Sequence, residues 1–457
     1  MRDSLLKVDS TNRERRRQVI ERVKFSQHIG KGIWGLAGRG LPMVHAVALI
    51  LLVVNALPVT EFGAYNVFQN IYIILFMFTD NFALQAIVKY GVEPDIELTE
   101  LLSTTFTIYA AFLLTAVIAL AMFPEFWGRM LNSPTLPALM PWMAAFIVVT
   151  IPRTFISKIL QMRFHVKEIF FIDLANFGLS AVLLAGLVFA GKIHRAEDVI
   201  RVTVLCGAVS SLLALWFGRR DVFVRPQFSG DMTKRIVEFG KYQSGTGIAS
   251  SLMNSLDALM VSKFTGPVGI AMYGAAKNLY RLFDVFRDTQ TMFVFPASSK
   301  YYSRGEFGTL RTIIEKAVSF LYLAMVPLAI VLIILAPQIF ELLYKGRYNE
   351  AVPVFQILMC AALVLPVQMV LSTSMVGFGK MKQFFRVMIV SFVLNIIAAF
   401  ALLLTIGVRG AAIAFVIGLT AQAVQFYFIV KREVGFEPRE LFFRGWRDAV
   451  SYLRGRK

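Results

Sequence analysis

The sequence predicts an all-α integral membrane protein: twelve transmembrane helices in two six-helix lobes related by a parallel repeat, with both termini cytoplasmic. Three observations carry this prediction: an apolar composition, the spacing of the apolar blocks and a one-sided distribution of basic residues. Of 457 residues, 57% are hydrophobic and only 17% charged, at a mean hydropathy of +0.64. Soluble domains carry about 25% charged residues, so a water-soluble globular chain is excluded. The 41 phenylalanines leave no room for a disordered or fibrous class. Cys206 and Cys360 both fall in apolar segments, so neither a disulfide framework nor a CxxC motif is expected.

Apolar windows matching a bilayer crossing of about 20 residues fall at 31–57, 62–88, 101–123, 136–160, 169–190 and 199–218. After a polar gap they resume at 238–263, 267–292, 313–336, 352–377, 384–406 and 409–431. These are continuous blocks, not the alternating segments of about ten residues that build a membrane β-barrel. The organisation follows: a basic segment 1–30, a first lobe 31–218, an inter-lobe loop 219–237, a second lobe 238–431 and a basic tail 432–457.

The net charge of +18 invites a nucleic-acid partner, but its distribution gives a different reason for it. With the N-terminus inside, inward segments hold roughly four times as many Lys and Arg as outward ones, which is the positive-inside pattern. The basicity reports orientation and attraction to anionic membrane lipids, and no nucleic acid is needed. The first 30 residues are too long and charged for a secretory signal. Thr11 and Glu14 suit a capping box, and Val19, Ile20 and Val23 form an apolar stripe, so a helix lying on the inner surface is expected. A second such helix is expected from Pro438, with Phe442, Trp446, Val450 and Leu453 on one face.

A shift of 208 residues lays the first two spans on the seventh and eighth. Phe62–Asp80 then matches Ile270–Asp288, with Tyr65/Tyr273, Asn70/Asn278, Tyr72/Tyr280, Phe78/Phe286 and Asp80/Asp288 identical. A shift of six spans preserves direction, so the lobes are parallel repeats about an axis along the membrane normal. Two such bundles facing a central cavity make an alternating-access transporter. Pro42, Pro327 and Pro366 fall inside spans and bend them, whereas Gly410, Ala414 and Gly418 form a small-residue packing face.

Span eight carries charge where charge is expensive. Lys277, Arg281, Asp284 and Asp288 share one helical face, with Arg287 beside them. Lys277 sits roughly 15 Å from the outer end at 1.5 Å per residue, near the midplane, where a lipid-facing charge costs about 2.5 kcal/mol or more. That face is expected to look into a cavity or a partner helix. Span seven answers with Gln243, Ser250, Asn254 and Asp257, and the first lobe supplies Arg39, His45, Asp173 and Asn176. Two assignments follow. Either Arg39, Lys277 and Arg281 line a cationic cavity that receives an anionic headgroup such as a diphosphate, with Gln243, Asn254 and Asn278 as polar lining, or Lys277–Asp257 and Arg281–Asp284 are neutralising pairs. Asp257, Asp284 and Asp288 serve ion coupling, to a proton or sodium gradient, or charge pairing. No catalytic residue, metal or cofactor is expected. Gly377-Phe378-Gly379-Lys380 lacks the rest of a phosphate-binding loop, and the four histidines have no ligand spacing.

Several motifs resemble the polysaccharide (O-antigen, Wzx-type) flippases of the MATE-like multidrug/oligosaccharidyl-lipid/polysaccharide (MOP) superfamily, over about residues 30–435. They are Leu57-Pro58 with Glu61-Phe62-Gly63-Ala64-Tyr65, Gly266-Pro267 with Tyr273, Phe295-Pro296-Ala297-Ser298, Arg304-Gly305-Glu306 and Leu335-Ala336-Pro337. Tyr344-Lys345-Gly346-Arg347-Tyr348, Ala351-Val352-Pro353, Gly377-Phe378-Gly379-Lys380, Leu394-Asn395 and Gly407-Val408-Arg409-Gly410 through Ala414 continue the series. Ala56-Leu57 and Ala271 depart from it at glycine positions of two turns. The resemblance implies an undecaprenyl-diphosphate-linked oligosaccharide as substrate, carried from the inner to the outer leaflet of a bacterial cytoplasmic membrane for surface polysaccharide biosynthesis, with other polysaccharide assembly proteins as partners. It implies a non-enzyme. The rivals are a MATE-like drug/cation antiporter, which favours an acidic or aromatic pocket, and a membrane glycan polymerase or ligase, which needs a long outward loop. The longest such loop here, 337–351, is short.

Overall fold

The computed structural model describes residues 40–93, 95–219 and 228–437, with Trp34, Ala37, Gly38, Arg439, Glu440 and Arg447, and the backbone alone of 242–254. The expected surface helix at 1–30 and the expected face of Phe442, Trp446, Val450 and Leu453 lie outside the described residues.

Twelve long helical stretches follow one another among the described residues, with the short helices Pro124–Met130 and Ala336–Tyr344 between them: α1 (Gly40–Ala56), α2 (Val59–Tyr90), α3 (Leu98–Met122), α4 (Leu136–Met162), α5 (Val166–Phe189), α6 (Ala196–Gly218), α7 (230–265) and α8 (267–303). They end with α9 (Phe307–Ile334), α10 (Asn349–Gly377), α11 (Met381–Ile406) and α12 (Val408–Val434). Among the described residues eight are long and apolar enough to cross a membrane by themselves, and α10 makes a ninth as a pair bent by 53°. The protein is a multi-pass membrane protein. The weaker signals of α7 and α8 have a chemical reason: these two helices carry the polar and charged stripes, so their hydropathy is lowered.

Two boundaries differ most from the apolar windows. Helix α7 begins at Gly230, not 238, because the Ser229 hydroxyl accepts from the Met232 amide (3.2 Å) and caps the first turn. Its early turns bury Met232 and Ile236 against Ala86 and Leu101 of the first lobe. Helix α8 runs on to 303, where Gly305 at φ 70° turns the chain. Hydropathy marks the bilayer edge, whereas a helix ends where capping or a left-handed residue stops it.

The two repeats meet between α2 and α8. Gly266, at φ 70° and ψ −168°, breaks the α7–α8 rod, and Pro267 opens α8. A Cβ on Gly63 would stand 2.0 Å from the Pro267 carbonyl oxygen, so only glycine fits there. One turn on, Gly274 packs against the Asn66 carboxamide, 2.6 Å from where its Cβ would be. Asn66 and Gly274 are 208 positions apart, so equivalent residues of the two repeats touch, as they must near the pseudo-twofold axis. Single π-turns interrupt α1 at Leu49–Val53, α2 at Asp80–Leu84 and α5 at Leu174–Gly178. Such turns widen a helix locally and recur at functional sites.

Candidate functional site

A cavity of about 350 Å³ opens between the first lobe and α8. Its walls come from α1 (His45, Leu49), α2 (Asn66, Gln69, Asn70), α4 (Arg153), α5 (Asn176, Phe177) and α8 (Asn278, Arg281). The π-turns of α1 and α5 lie in this wall, so Leu49 and the Asn176-Phe177 pair face it from widened helix. Asn70 and Asn278, identical across the repeat, line the same space from its two sides.

Arg153 reaches this wall one residue after a proline inside its helix. Pro152 cannot donate to the preceding turn, and beside it Ser211 of α6 bonds both ends of the Val149–Arg153 step. The Ser211 hydroxyl donates to the Val149 carbonyl (2.6 Å) and accepts from the Arg153 amide (3.4 Å). The Arg153 guanidinium then pairs with Asp173 (2.8 Å) and lies 5.3 Å from the Phe177 ring centre. Its Nε and the Asn176 Oδ1 are buried at the cavity with no hydrogen-bond partner among the described residues. Buried polar atoms are almost always satisfied, so one orphaned donor and one orphaned acceptor at the same cavity are groups set up for a ligand.

The anticipated residues separate into distinct places. Arg281 and Asn278 line the cavity. Lys277, one turn away, is held by Asp257 at 2.5 Å with its side chain 13% exposed, and the Tyr273 hydroxyl donates to the same carboxylate. Asp257 is buried and also accepts from the Ala258 amide (2.7 Å). Asp284 pairs with Arg287 (3.1 Å), not with Arg281, and Asp288 is exposed. Arg39 and the side chains of Gln243 and Asn254 lie outside the described residues. Among the described residues no cluster of three or more His, Cys, Asp or Glu is placed to hold a metal.

Sequence reasoning missed Arg153 as a cavity residue. Its position near the inner end of span four made it one of the inward basic residues, and the available signal was a proline immediately before it inside an apolar run.

The protein is an all-helical membrane bundle of two repeats with a cation-lined polar cavity where they meet. The family model for polysaccharide biosynthesis proteins matches residues 53–353, and the chain belongs to that family. It is 25% identical over 192 residues to an uncharacterized membrane protein of Methanocaldococcus jannaschii, an alignment covering 42% of this chain and 38% of that one. It is 20% identical over 200 residues to a probable low-salt glycan biosynthesis flippase of Haloferax volcanii, covering 44% and 42%. The chain thus spans about two fifths of the length of these curated relatives. In fold it is similar to an inward-facing multidrug resistance MATE transporter of the MOP superfamily (TM-score 0.72, 17% identity, 87% of this chain and 98% of the other). It is equally similar to the lipid II flippase MurJ in an inward closed conformation (TM-score 0.72, 16% identity, 92% and 91%). An outward-facing MATE structure matches at a TM-score of 0.58 (17% identity, 88% and 94%).

Proposed function

We propose that this protein moves a polyprenyl-diphosphate-linked oligosaccharide across the membrane by alternating access of its two lobes. The observation that carries this reading is the cavity wall where Arg153 and Arg281 converge with Asn70, Asn176 and Asn278. Two guanidiniums present planar forks of donors suited to phosphate oxygens, and carboxamides supply both donors and acceptors for the atoms around them. A cationic drug would meet repulsion in the same place. Family membership and the glycan flippase among the relatives support a lipid-linked saccharide as the cargo.

The lobes are tied on one side. Arg347 donates to the Asn55 carbonyl (2.6 Å) and the Leu57 carbonyl (2.5 Å), while the Asn55 carboxamide donates to the Leu343 carbonyl (2.6 Å). With the basic loops inside, this tied side is the outer one, and its opening would release cargo to the outer leaflet. With no nucleotide-binding motif in the sequence, the reading takes its energy from a proton or sodium gradient, with Asp257 as the carboxylate to test.

Mass spectrometry of lipids from cells lacking the protein tests the proposal. Accumulation of a diphosphate-linked polyprenyl oligosaccharide, reversed by the wild-type gene and not by Arg281→Gln, is expected. An unchanged lipid pool together with new sensitivity to cationic drugs would overturn it.

A further inference from the structure

A second cavity, of about 240 Å³, lies within the second lobe. It is bounded by α8 at Arg287 and Thr291, by α10 at Gln368 and Ser372, and by α12 at Gln422. Its chemistry differs from that of the first. The Gln368 carboxamide donates to Gln422 Oε1 (2.9 Å), and Gln368 Oε1 is buried with no partner among the described residues. Arg287, already paired with Asp284, is the one charged residue in the lining, and no carboxylate contributes to it. The Phe384 and Phe415 rings, with Met369, Val376, Met388 and Leu419, supply its apolar wall.

This set fits a neutral, hydroxyl-rich ligand. A carboxamide offers an acceptor and two donors to a sugar's hydroxyl groups, and a phenyl ring covers the apolar face of a pyranose. An organic cation or metal ion would need carboxylates, and a phosphate would need cations not already spoken for. The volume is below the roughly 300–1,000 Å³ of pockets that bury a drug-sized ligand, which suits one sugar unit and not an oligosaccharide.

Position supplies the second argument. Helix α8 borders both cavities: Asn278 and Arg281 face the first, Arg287 and Thr291 the second. From Arg281 to Arg287 the helix rises roughly 9 Å and turns through about 600°, or one and two-thirds turns. The 3₁₀ turn at Arg281–Phe283 lies at the changeover. A diphosphate seated at Arg281 would therefore have its attached sugar within reach of the opposite flank of the same helix. We infer that the second-lobe cavity is the subsite for the phosphate-proximal sugar of the lipid-linked glycan, an assignment that rests on the flippase reading above.

The test uses the full-length protein in nanodiscs and three probes: undecaprenyl diphosphate alone, or bearing one N-acetylglucosamine, or bearing one glucose. Wild type is expected to bind at least one glycosylated probe about tenfold more tightly than the bare lipid, the value of about 1.4 kcal/mol. Gln368→Leu should abolish that preference while leaving affinity for the bare lipid diphosphate within about twofold, and thermal unfolding checks that the variant is folded. Thr291→Val, at an exposed position, should reduce the preference about threefold without any folding risk. Equal binding of all three probes by wild type, or a preference kept by both variants, would overturn the sugar subsite while leaving the flippase reading standing. Failure of wild type to bind any probe above a matched phospholipid, with Arg281→Gln indistinguishable from it, would overturn both.

Discussion

Around Lys277 every neighbour is packed: Asp257 accepts from it at 2.5 Å, Tyr273 shares that carboxylate, and the Phe415 ring centre lies 5.1 Å from the ammonium. Around Arg281, one turn along the same helix, the neighbours are Asn278, Asn70 and an open volume shared with Arg153. Both are cations within a span, and both would be costly facing lipid. The first offsets that cost with a dedicated counter-ion inside one lobe, while the second is kept in a space that another molecule can enter. Cationic side chains within a membrane thus mark either a rivet or a site. The distinction lies in whether a partner or a cavity takes up the charge.

Breaking this contrast gives the largest expected effect. Lys277→Ala leaves Asp257 buried without its counter-ion, which costs about 3–5 kcal/mol and should show as a large fall in thermal stability of the detergent-solubilised protein. Replacing both partners, Lys277→Leu with Asp257→Leu, should recover most of that loss, as measured in a double-mutant cycle. If the double variant is stable yet no longer responds to a proton or sodium gradient, Asp257 carries coupling as well as structure. Arg281→Gln should behave in the opposite way. Stability stays within about 0.5 kcal/mol, but losing a charge-assisted contact of roughly 1.5–3 kcal/mol to the substrate lowers affinity for undecaprenyl diphosphate about tenfold or more. An unstable Arg281→Gln beside a stable Lys277→Ala would reverse the assignment of rivet and site.

Legibility from the sequence followed the range of the physics. The apolar windows located the spans because burial in lipid is a local, additive property, and the 208-residue repeat matched α2 with α8, the two helices that the structure brings together. The Lys277–Asp257 contact was visible as an option, since two adjacent spans joined by Gly266-Pro267 carry facing polar stripes. Arg153 was not visible as a cavity residue. Its surroundings depend on a π-turn in α5, a proline one residue before it and a serine from α6, three features no single stretch of sequence encodes. Gln368 and Gln422 were equally hidden, because isolated carboxamides hardly lower the hydropathy of an apolar span and their pairing is tertiary. The start of α7 and the end of α8 were misplaced because a cap and a left-handed glycine, not hydropathy, fix them.

The contact between the repeats is the next place to test. Gly63→Ala drives a methyl group into the Pro267 backbone carbonyl, which cannot move aside, and should cost about 1–3 kcal/mol. Gly274→Ala meets only the Asn66 side chain, which can rotate, so a smaller loss is expected. Comparable loss in both variants, read by thermal unfolding, would show that the axis is rigid on its two sides.

The smallest stability effect is expected at Ser211, and it bears most directly on how Arg153 comes to the cavity. The hydroxyl bonds both ends of the Val149–Arg153 step beside Pro152, donating to the Val149 carbonyl and accepting from the Arg153 amide. Side-chain hydrogen bonds between membrane helices average only about 0.6 kcal/mol, so Ser211→Ala should lower thermal stability slightly. Without the hydroxyl the Val149–Arg153 step loses both of these bonds, and the Arg153 guanidinium should be held less firmly beside Asp173 and Phe177. Affinity for undecaprenyl diphosphate should then fall severalfold, out of proportion to the stability change. Ser211→Thr keeps the hydroxyl and should keep the affinity. Pro152 leaves this stretch one backbone donor short, so in a Pro152→Ala background Ser211→Ala should have a smaller effect on binding. Additive losses from the two substitutions would mean that Ser211 acts on the cavity by a route independent of Pro152.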